Sequence, residues 1–165
     1  MTINIVDAND APSAGNDATG ALTEDASTST VTGTITGTDQ DGDTLTYSGA
    51  TTGTYGAIAL SGATWTYTLD NSDADTTALD AGDTATDSFT MTVSDGTASD
   101  TMTVTITITG ADDATSAGPD QTGSVTEDAS TSTVTGTVAT VEPDGDASVS
   151  YSVGSSSGTY GSLAM

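Results

Sequence analysis

Residues 101–109 alternate strictly between threonine and an apolar residue, and this pattern restricts the chain to β-structure more than any other feature. A period of two places alternate side chains on opposite faces of a strand. Residues 65–69 and 89–93 alternate in the same way, and residues 31–35 nearly do. Threonine is β-branched and suits the solvent face of a sheet. Because Gly, Asp and Ser clusters separate these segments, the sequence predicts an all-β fold in which antiparallel strands form a β-sandwich.

The chain also repeats itself at the length of a domain. Residues 23–34 recur without change at 126–137, and residues 53–56 recur at 158–161. This period is longer than a solenoid unit and corresponds to one domain per repeat, so we predict tandem immunoglobulin- or cadherin-like sandwiches. Residues 1–12 are then the last strand and linker of a preceding repeat, 13–115 a complete repeat, and 116–165 the N-terminal half of the next. The strands missing from the partial repeats would come from the same chain or from a neighbouring one.

The composition excludes several classes of function. The 165 residues include no Lys, Arg, His or Cys, and 24 acidic residues give a formal net charge of −24. Without basic side chains the chain has no patch for nucleic-acid phosphates or anionic membrane surfaces. Without His, Cys or Lys it lacks the usual catalytic bases, thiol nucleophiles and zinc ligands. Only oxygen ligands remain, and these are the ligands of hard cations such as Ca²⁺.

The strongest site signal is a short acidic segment that occurs twice. Residues 39–43 read Asp-Gln-Asp-Gly-Asp, and residues 142–146 read Glu-Pro-Asp-Gly-Asp. Three carboxylates on a turn that glycine allows to bend can converge on one cation, although the spacing is not that of an EF-hand. The alternative interpretation is a solvated acidic turn, because Asp-Gly is a common turn dipeptide.

Other acidic positions recur beside these segments and have no basic partner anywhere in the sequence. Two pairs open the repeats, two pairs lie in the linkers, and Asp95 follows a predicted strand. A shared explanation is calcium bound between repeats. The predicted metal ligands are Asn9, Asp10, Glu24, Asp25, Asp39, Asp41, Asp43, Asp95, Asp112, Asp113, Glu127, Asp128, Glu142, Asp144 and Asp146.

The order of motifs resembles the VCBS repeat, a bacterial cadherin-like domain found in tandem in giant secreted adhesins. The resemblance is carried by Thr38-Asp39-Gln40-Asp41-Gly42-Asp43, Trp65-Thr66-Tyr67, Ala78-Leu79-Asp80-Ala81-Gly82, Phe89-Thr90-Met91-Thr92-Val93-Ser94-Asp95-Gly96 and the linker Ala8-Asn9-Asp10-Ala11-Pro12. It implies calcium held by Asn9, Asp10, Glu24, Asp39, Asp41 and Asp95, and an extracellular or cell-surface location. The second copy departs from the family pattern at Asp112, Thr115 and the pair Glu142-Pro143.

These observations lead to a structural function and not to an enzyme. We expect the repeats to be calcium-stiffened links of an extracellular adhesin or surface fibre, with neighbouring repeats of the same or an identical chain as partners. The alternative is a subunit of a self-assembling filament or surface layer that exchanges strands between chains. A glycosidase would need a buried apolar pocket around one carboxyl group, and no segment is apolar enough to build one. The acidity could also reflect a salt-rich habitat, in which sodium would replace calcium.

The aromatic residues allow two interpretations. They are few, at 4% of the chain. An exposed set could form a sugar-binding platform, whereas a buried set would be the large residues of a thin core. We expect the core. The residues concerned are Tyr47, Tyr55, Trp65, Tyr67 and Phe89.

Overall fold

The computed structural model of the protein describes residues 1–4, 6, 8–130, 132–145 and 149–165. They form two compact units, Met1–Asp112 and Asp113–Met165. Every regular element in the described part of the chain is a strand, which confirms the predicted all-β class. The strands of the first unit are β1 (Ser13–Ala14), β2 (Ala18–Thr23), β3 (Thr30–Thr34), β4 (Gly37–Thr38), β5 (Thr46–Gly49), β6 (Gly56–Ser61), β7 (Thr64–Leu69), β8 (Thr84–Ser94) and β9 (Ser99–Thr109).

Two main sheets form the first unit. One has four strands in the order β2-β9-β8-β5, and the other has three in the order β3-β7-β6. A short pair, β1 with β4, accompanies them. Most pairs are antiparallel, as expected, but β2 runs parallel to β9 over six residue pairs, from Ala18↔Val104 to Thr23↔Thr109. The first and last long strands of the unit are therefore neighbours that point in the same direction.

The core lies between the two sheets and follows the alternation in the sequence. On β8 from Asp87 and on β9 from Met102, every second side chain is buried, while the residues between them are exposed or half-buried. The three-stranded sheet contributes its own inward residues from β6 and β7. The buried apolar side chains are Leu22, Ile35, Ile58, Trp65, Tyr67, Leu69, Phe89, Met91, Val93, Met102, Val104, Ile106 and Ile108.

The large aromatic residues belong to this core. Trp65, Tyr67 and Phe89 are each at most 1% exposed, and the rings of Tyr67 and Phe89 meet in a tilted arrangement with centroids 5.8 Å apart. Tyr47 and Tyr55 are partly buried against the same cluster. A sugar-binding platform would need exposed rings, so the structure confirms the core interpretation of these residues.

In the residues of the second unit that the structure describes there is one pair of strands, β10 (Ser116–Ala117) and β11 (Thr140–Val141), which pair in antiparallel fashion. It repeats local details of the first unit. The N–H of Gly158 donates to the carbonyl of Gly161 at 2.8 Å, as Gly53 does to Gly56. Many of its large apolar side chains are exposed; they include Val125, Val134, Val138, Val141, Tyr151, Tyr160 and Leu163. The domain boundaries 1–12, 13–115 and 116–165 remain predictions from the repeat.

Candidate metal centre

The acidic segment at residues 39–43 forms a compact loop directly after β4. One carboxylate oxygen from each of Asp39, Asp41 and Asp43 lies within 4.8 Å of the other two. The loop closes on itself because Asp39 Oδ1 accepts the N–H groups of Asp41 and Asp43, at 2.9 and 3.1 Å. Gly42 has a φ of +79°, a left-handed conformation that glycine adopts without steric cost. The local sequence therefore folds so that three negative groups converge.

The surroundings of Asp39 indicate that the three converging carboxylates could hold a cation. Its second oxygen, Oδ2, is buried and has no hydrogen-bond partner among the residues that the structure describes. A buried carboxylate oxygen without a partner loses its hydration and gains nothing in return. A hard cation at this position would satisfy the oxygen and offset the repulsion among the three carboxylates. The donor set, which is all oxygen, fits Ca²⁺ better than a transition metal.

The linker residues predicted as ligands lie against the same loop. The N–H of Asp10 donates to Asp41 Oδ2 at 2.7 Å. The side-chain nitrogen of Asn9 donates to Asp95 Oδ2 at 3.1 Å and to the carbonyl of Asp10 at 3.0 Å. These contacts use the amide nitrogen of Asn9, and a cation would use its amide oxygen. A polar cleft of about 450 Å³ opens here between Ala8, Asn9, Gln40, Asp41 and Asp43.

Asp95 is held in its charged form by the turn that carries it. Its Oδ1 accepts the N–H groups of Thr97 and Ala98, at 2.6 and 2.7 Å. The hydrogen bonds from Ala98, Thr97 and the Asn9 side chain hold the pKa of Asp95 below its usual range. The structure thus brings together five of the six ligands that the family resemblance implies, and their shared position is the end of the unit where the linker enters.

Glu24 lies elsewhere. It follows β2, is only 2% exposed, and accepts the N–H of Ala111 on Oε2 at 3.2 Å. Asp95 precedes β9, whereas Ala111 follows it, and an eleven-residue strand is about 35 Å long. Glu24 therefore does not reach the carboxylates of residues 39–43 within its own unit. Asp25 beside it is exposed, with a φ of +53°, and Asp112 is exposed in the linker that follows.

The second unit repeats the contact between linker and loop. The N–H of Asp113 donates to Asp144 Oδ2 at 2.8 Å, which reproduces the bond between Asp10 and Asp41. Asp144 Oδ1 is buried and has no hydrogen-bond partner in the described residues. Glu142, which replaces Asp39 in this copy, accepts the hydroxyl of Thr115. Asp146 lies outside the described residues.

The pair that opens the second repeat is placed differently from its counterpart in the first. Glu127 is exposed, whereas its equivalent Glu24 is buried. Asp128 keeps the turn conformation of Asp25, with a φ of +59°. The turn is therefore encoded locally, while the burial of the glutamate depends on the rest of the sandwich.

Sequence reasoning missed one buried carboxylate, Asp87. It is 3% exposed and accepts three hydrogen bonds, from the N–H groups of Thr54 and Tyr55 at 2.7 and 3.1 Å and from the Tyr67 hydroxyl at 2.7 Å. Burial and the neighbouring Asp87 carboxylate raise the pKa of the Tyr67 phenol far above its usual range. The signal was present in the sequence, because Asp87 occupies an inward position in the alternation of β8. Its role is to anchor the loop before β6.

Comparison with solved structures gives distant likenesses. The endo-fucoidan hydrolase MfFcnA4 from glycoside hydrolase family 107 shares 26% identity over 60% of this chain, with a TM-score of 0.41, and the chain covers 14% of the hydrolase. A chimeric titin Z1Z2 protein functionalized with an exogenous decorin peptide shares 13% identity over 62% of this chain and 98% of its own, with a TM-score of 0.36. The titin M3 domain shares 12% identity over 60% of this chain and 97% of its own, with a TM-score of 0.35.

Comparisons by sequence are more specific. No curated protein matches the chain. Among the described residues, no helix has the length and apolar character needed to cross a membrane. The family model of the bacterial cadherin-like domain matches residues 9–110. This match spans more than half of the chain, and the protein therefore belongs to the bacterial cadherin-like domain family.

Proposed function

We propose that the protein is a structural repeat of an extracellular adhesin or surface fibre, stiffened by calcium where the linker meets the sandwich. Domains of this family are typically extracellular, act in structure and adhesion, and are not typically enzymes. The observation that carries the proposal is the unpartnered, buried Oδ2 of Asp39 within a cluster of three carboxylates. The linker residue Asp10 is hydrogen-bonded to the same cluster.

The net charge of the chain explains why bound calcium would stabilise the fold. A net charge of −24 without any Lys, Arg or His means that no side chain can neutralise the acidic loops. Like charges oppose compaction, and a bound divalent cation removes part of that repulsion. An ion that binds only the folded chain adds free energy to folding, about 2.7 kcal/mol when its concentration is 100 times the dissociation constant. Because apolar residues are few, this contribution is a large share of the total stability.

Calcium at this position would also restrict the linker. In the first unit, the loop at residues 39–43 and the turn at Asp95 contact Asn9 and Asp10. An ion that shares ligands from the loop and the linker would fix the direction in which the chain enters the sandwich. The recurrence of the same backbone contact at Asp113 and Asp144 supports one such site in each repeat. Successive sandwiches would then form a stiff rod in calcium and a loose chain without it.

Calorimetric titration of the full chain with calcium chloride tests the proposal. We expect Asp39→Asn to lower the number of tightly bound ions, because the substitution removes the buried charged oxygen and keeps the side-chain shape. Asp120→Asn, at an exposed position outside the predicted sites, is the matched control and should bind as the wild type does. In chelator, Asp39→Asn should be at least as stable as the wild type, because it relieves repulsion. Undiminished binding by a folded Asp39→Asn would contradict the site.

A second candidate function is a filament whose subunits exchange strands. It is favoured by the exposed apolar residues of the second unit, because their sequence equivalents in the first unit are buried or partly buried. Strands supplied by a neighbouring chain would cover them, and open strand edges promote such pairing. The equivalent pairs are Val125 with Leu22, Val134 with Val31, Val138 with Ile35, Tyr160 with Tyr55, and Leu163 with Ile58. Electron microscopy of the purified chain distinguishes the two candidates, since ordered fibres support exchange and isolated monomers oppose it.

A further inference from the structure

The N-terminal segment of the first unit runs beside the last strand at a constant sequence separation. Side-chain contacts hold Asn9 to Asp95, Ala14 to Asp100, and Asp17 to Thr103, and each pair is 86 residues apart. The parallel ladder of β2 and β9 begins at Ala18↔Val104 with the same separation and continues to Thr23↔Thr109. The polar contacts and the backbone ladder therefore keep one register between residues 9 and 23, and together they form the zipper of this unit.

We infer that this zipper is the clamp that resists tension on the unit, an inference that rests on the proposed role as a link in a surface fibre. Tension along such a fibre pulls the chain before Asn9 in one direction and the chain after Thr109 in the other. Because β2 and β9 are parallel, these opposite forces slide the two strands along each other. In that shear geometry all the ladder hydrogen bonds are loaded together, whereas in an unzipping geometry they break one after another.

The polar contacts extend the clamp beyond the end of the ladder. Asp100 Oδ2 accepts the N–H of Ala14 at 2.9 Å, and Asp17 Oδ1 accepts the N–H of Thr103 at 2.7 Å. The N–H groups of Ala14 and Thr101 hold the pKa of Asp100 below its usual range, so the carboxylate stays charged and its hydrogen bonds charge-assisted. One acceptor, Asp17, lies on the segment that leads into β2, and the other, Asp100, lies on β9.

Packing behind the ladder protects it from water. The inward side chains Leu22, Val104, Ile106 and Ile108 are all buried. Gly20 allows close approach at the centre of β2, because a Cβ there would lie 2.9 Å from Ile106 Cδ1 and 3.0 Å from Val31 Cγ1. At the far end, the N–H of Glu24 donates to the carbonyl of Thr109 at 2.9 Å. By contrast, the neighbouring β1–β4 pair comprises only two residue pairs.

Force spectroscopy on the full chain tests the direction of loading. The sequence contains no cysteine, so handles can be attached at chosen pairs of introduced cysteines. Handles at Ala8→Cys and Ala114→Cys, both exposed positions outside the predicted ligand set, pull β2 and β9 in shear. Handles at Thr23→Cys and Thr109→Cys, the last pair of the ladder, pull apart the adjacent ends of the two strands and unzip them. We expect the first unit to open at a severalfold higher force in shear than in unzipping, and equal forces in both geometries would overturn the clamp.

Asp100→Ala separates the clamp from a general loss of stability. Its contact with Ala14 lies on the loaded path in shear but at the opposite end of the ladder from the unzipping handles. We therefore expect a lower force in shear and an unchanged force in unzipping, while an unchanged force in shear would contradict the role of the polar contacts. Repeating both measurements in calcium and in chelator keeps the two proposals apart. If the force that opens the first unit depends on the pulling direction but not on calcium, calcium stiffening is refuted and the clamp is retained.

Discussion

Asp87 shows how one residue connects a loop to the core. It occupies an inward position of β8, where an ionised side chain would be costly without partners. Thr54, Tyr55 and Tyr67 supply three donors to its two oxygens. Gly53 makes room for this arrangement, because a Cβ at that position would lie within 2.5 Å of Asp87 Cγ. The anchored loop in turn sets the start of β6, so a polar network fixes the position of an apolar strand.

Removing one donor from this network should measurably destabilise the fold. Tyr67→Phe keeps the buried ring but deletes the hydroxyl that donates to Asp87 at 2.7 Å. A hydrogen bond to a charged group contributes about 1.5–3 kcal/mol, so we expect a loss of unfolding free energy in that range. Urea denaturation followed by fluorescence provides the measurement. Tyr160→Phe is the control, because Tyr160 is fully exposed and its hydroxyl should contribute nothing. Equal stability of Tyr67→Phe and the wild type would exclude the network as a source of stability.

Residue types alone revealed the acidic loop but not the Asp87 network. The carboxylates of residues 39–43 are neighbours in sequence, so a local pattern suffices to predict their convergence. The partners of Asp87 lie 20, 32 and 33 residues away, and their meeting depends on how two sheets pack. The burial of Glu24 also depends on tertiary structure, because it requires Ala111 to lie at the end of β2. Contacts that depend on tertiary structure are those that the sequence pattern could not supply.

Strand β3 packs against β7 through a glycine that faces a tryptophan. Gly33 is paired with Trp65 in the antiparallel register, and Trp65 is 1% exposed. A Cβ on Gly33 would lie 2.6 Å from Cε2 of the Trp65 indole, closer than any normal van der Waals contact. The indole is the largest side chain of the core and has little freedom to move. The absence of a side chain at this position therefore leaves the room that the indole occupies over β3.

Gly33→Ala should strain the β3–β7 pair. We expect a loss of about 1–3 kcal/mol of stability, the usual range for overpacking a close-packed core. The chain contains one tryptophan, so its emission in the native state reports directly on the displaced indole. Gly136→Ala is the matched control, because Gly136 is the equivalent residue of the second repeat and a Cβ there would meet no atom within 4 Å. A native-like emission and melting temperature for Gly33→Ala would show that the strands adjust without cost.

The period of two identified the long strands correctly. The alternating segments at residues 65–69, 89–93 and 101–109 fall within β7, β8 and β9, and most of 31–35 falls within β3. The parallel pairing of β2 with β9 was not predictable in this way. Alternation specifies which face of a strand is buried, but it does not specify which distant strand becomes its neighbour or in which direction. Parallel order here follows from the sandwich topology, which places the first and last long strands side by side.

Two physical explanations are possible for how the folded chain tolerates its net charge of −24. In the first, a salt-rich medium screens the surface and any cation suffices. In the second, calcium ions bound at specific sites neutralise the repulsion between carboxylates. The screening length is about 10 Å at 0.1 M salt. The carboxylate oxygens of residues 39–43 lie within 4.8 Å of one another, and one oxygen of Asp39 is buried. Mobile ions screen such short, partly desolvated contacts poorly, so the geometry favours a coordinated cation.

Melting experiments in two salts separate these accounts. We expect millimolar calcium chloride to raise the melting temperature of the full chain, and sodium chloride at matched ionic strength to have a much smaller effect. Even about 1 M sodium chloride, where the screening length falls to about 3 Å, should not reproduce the calcium increment, because a monovalent ion gains less from three converging carboxylates. Chelation should reverse the increment, and Asp39→Asn should reduce it while keeping the response to sodium. If sodium chloride alone restores the full melting temperature, the acidic surface is an adaptation to salt, and the loops at residues 39–43 and 142–145 are ordinary solvated turns.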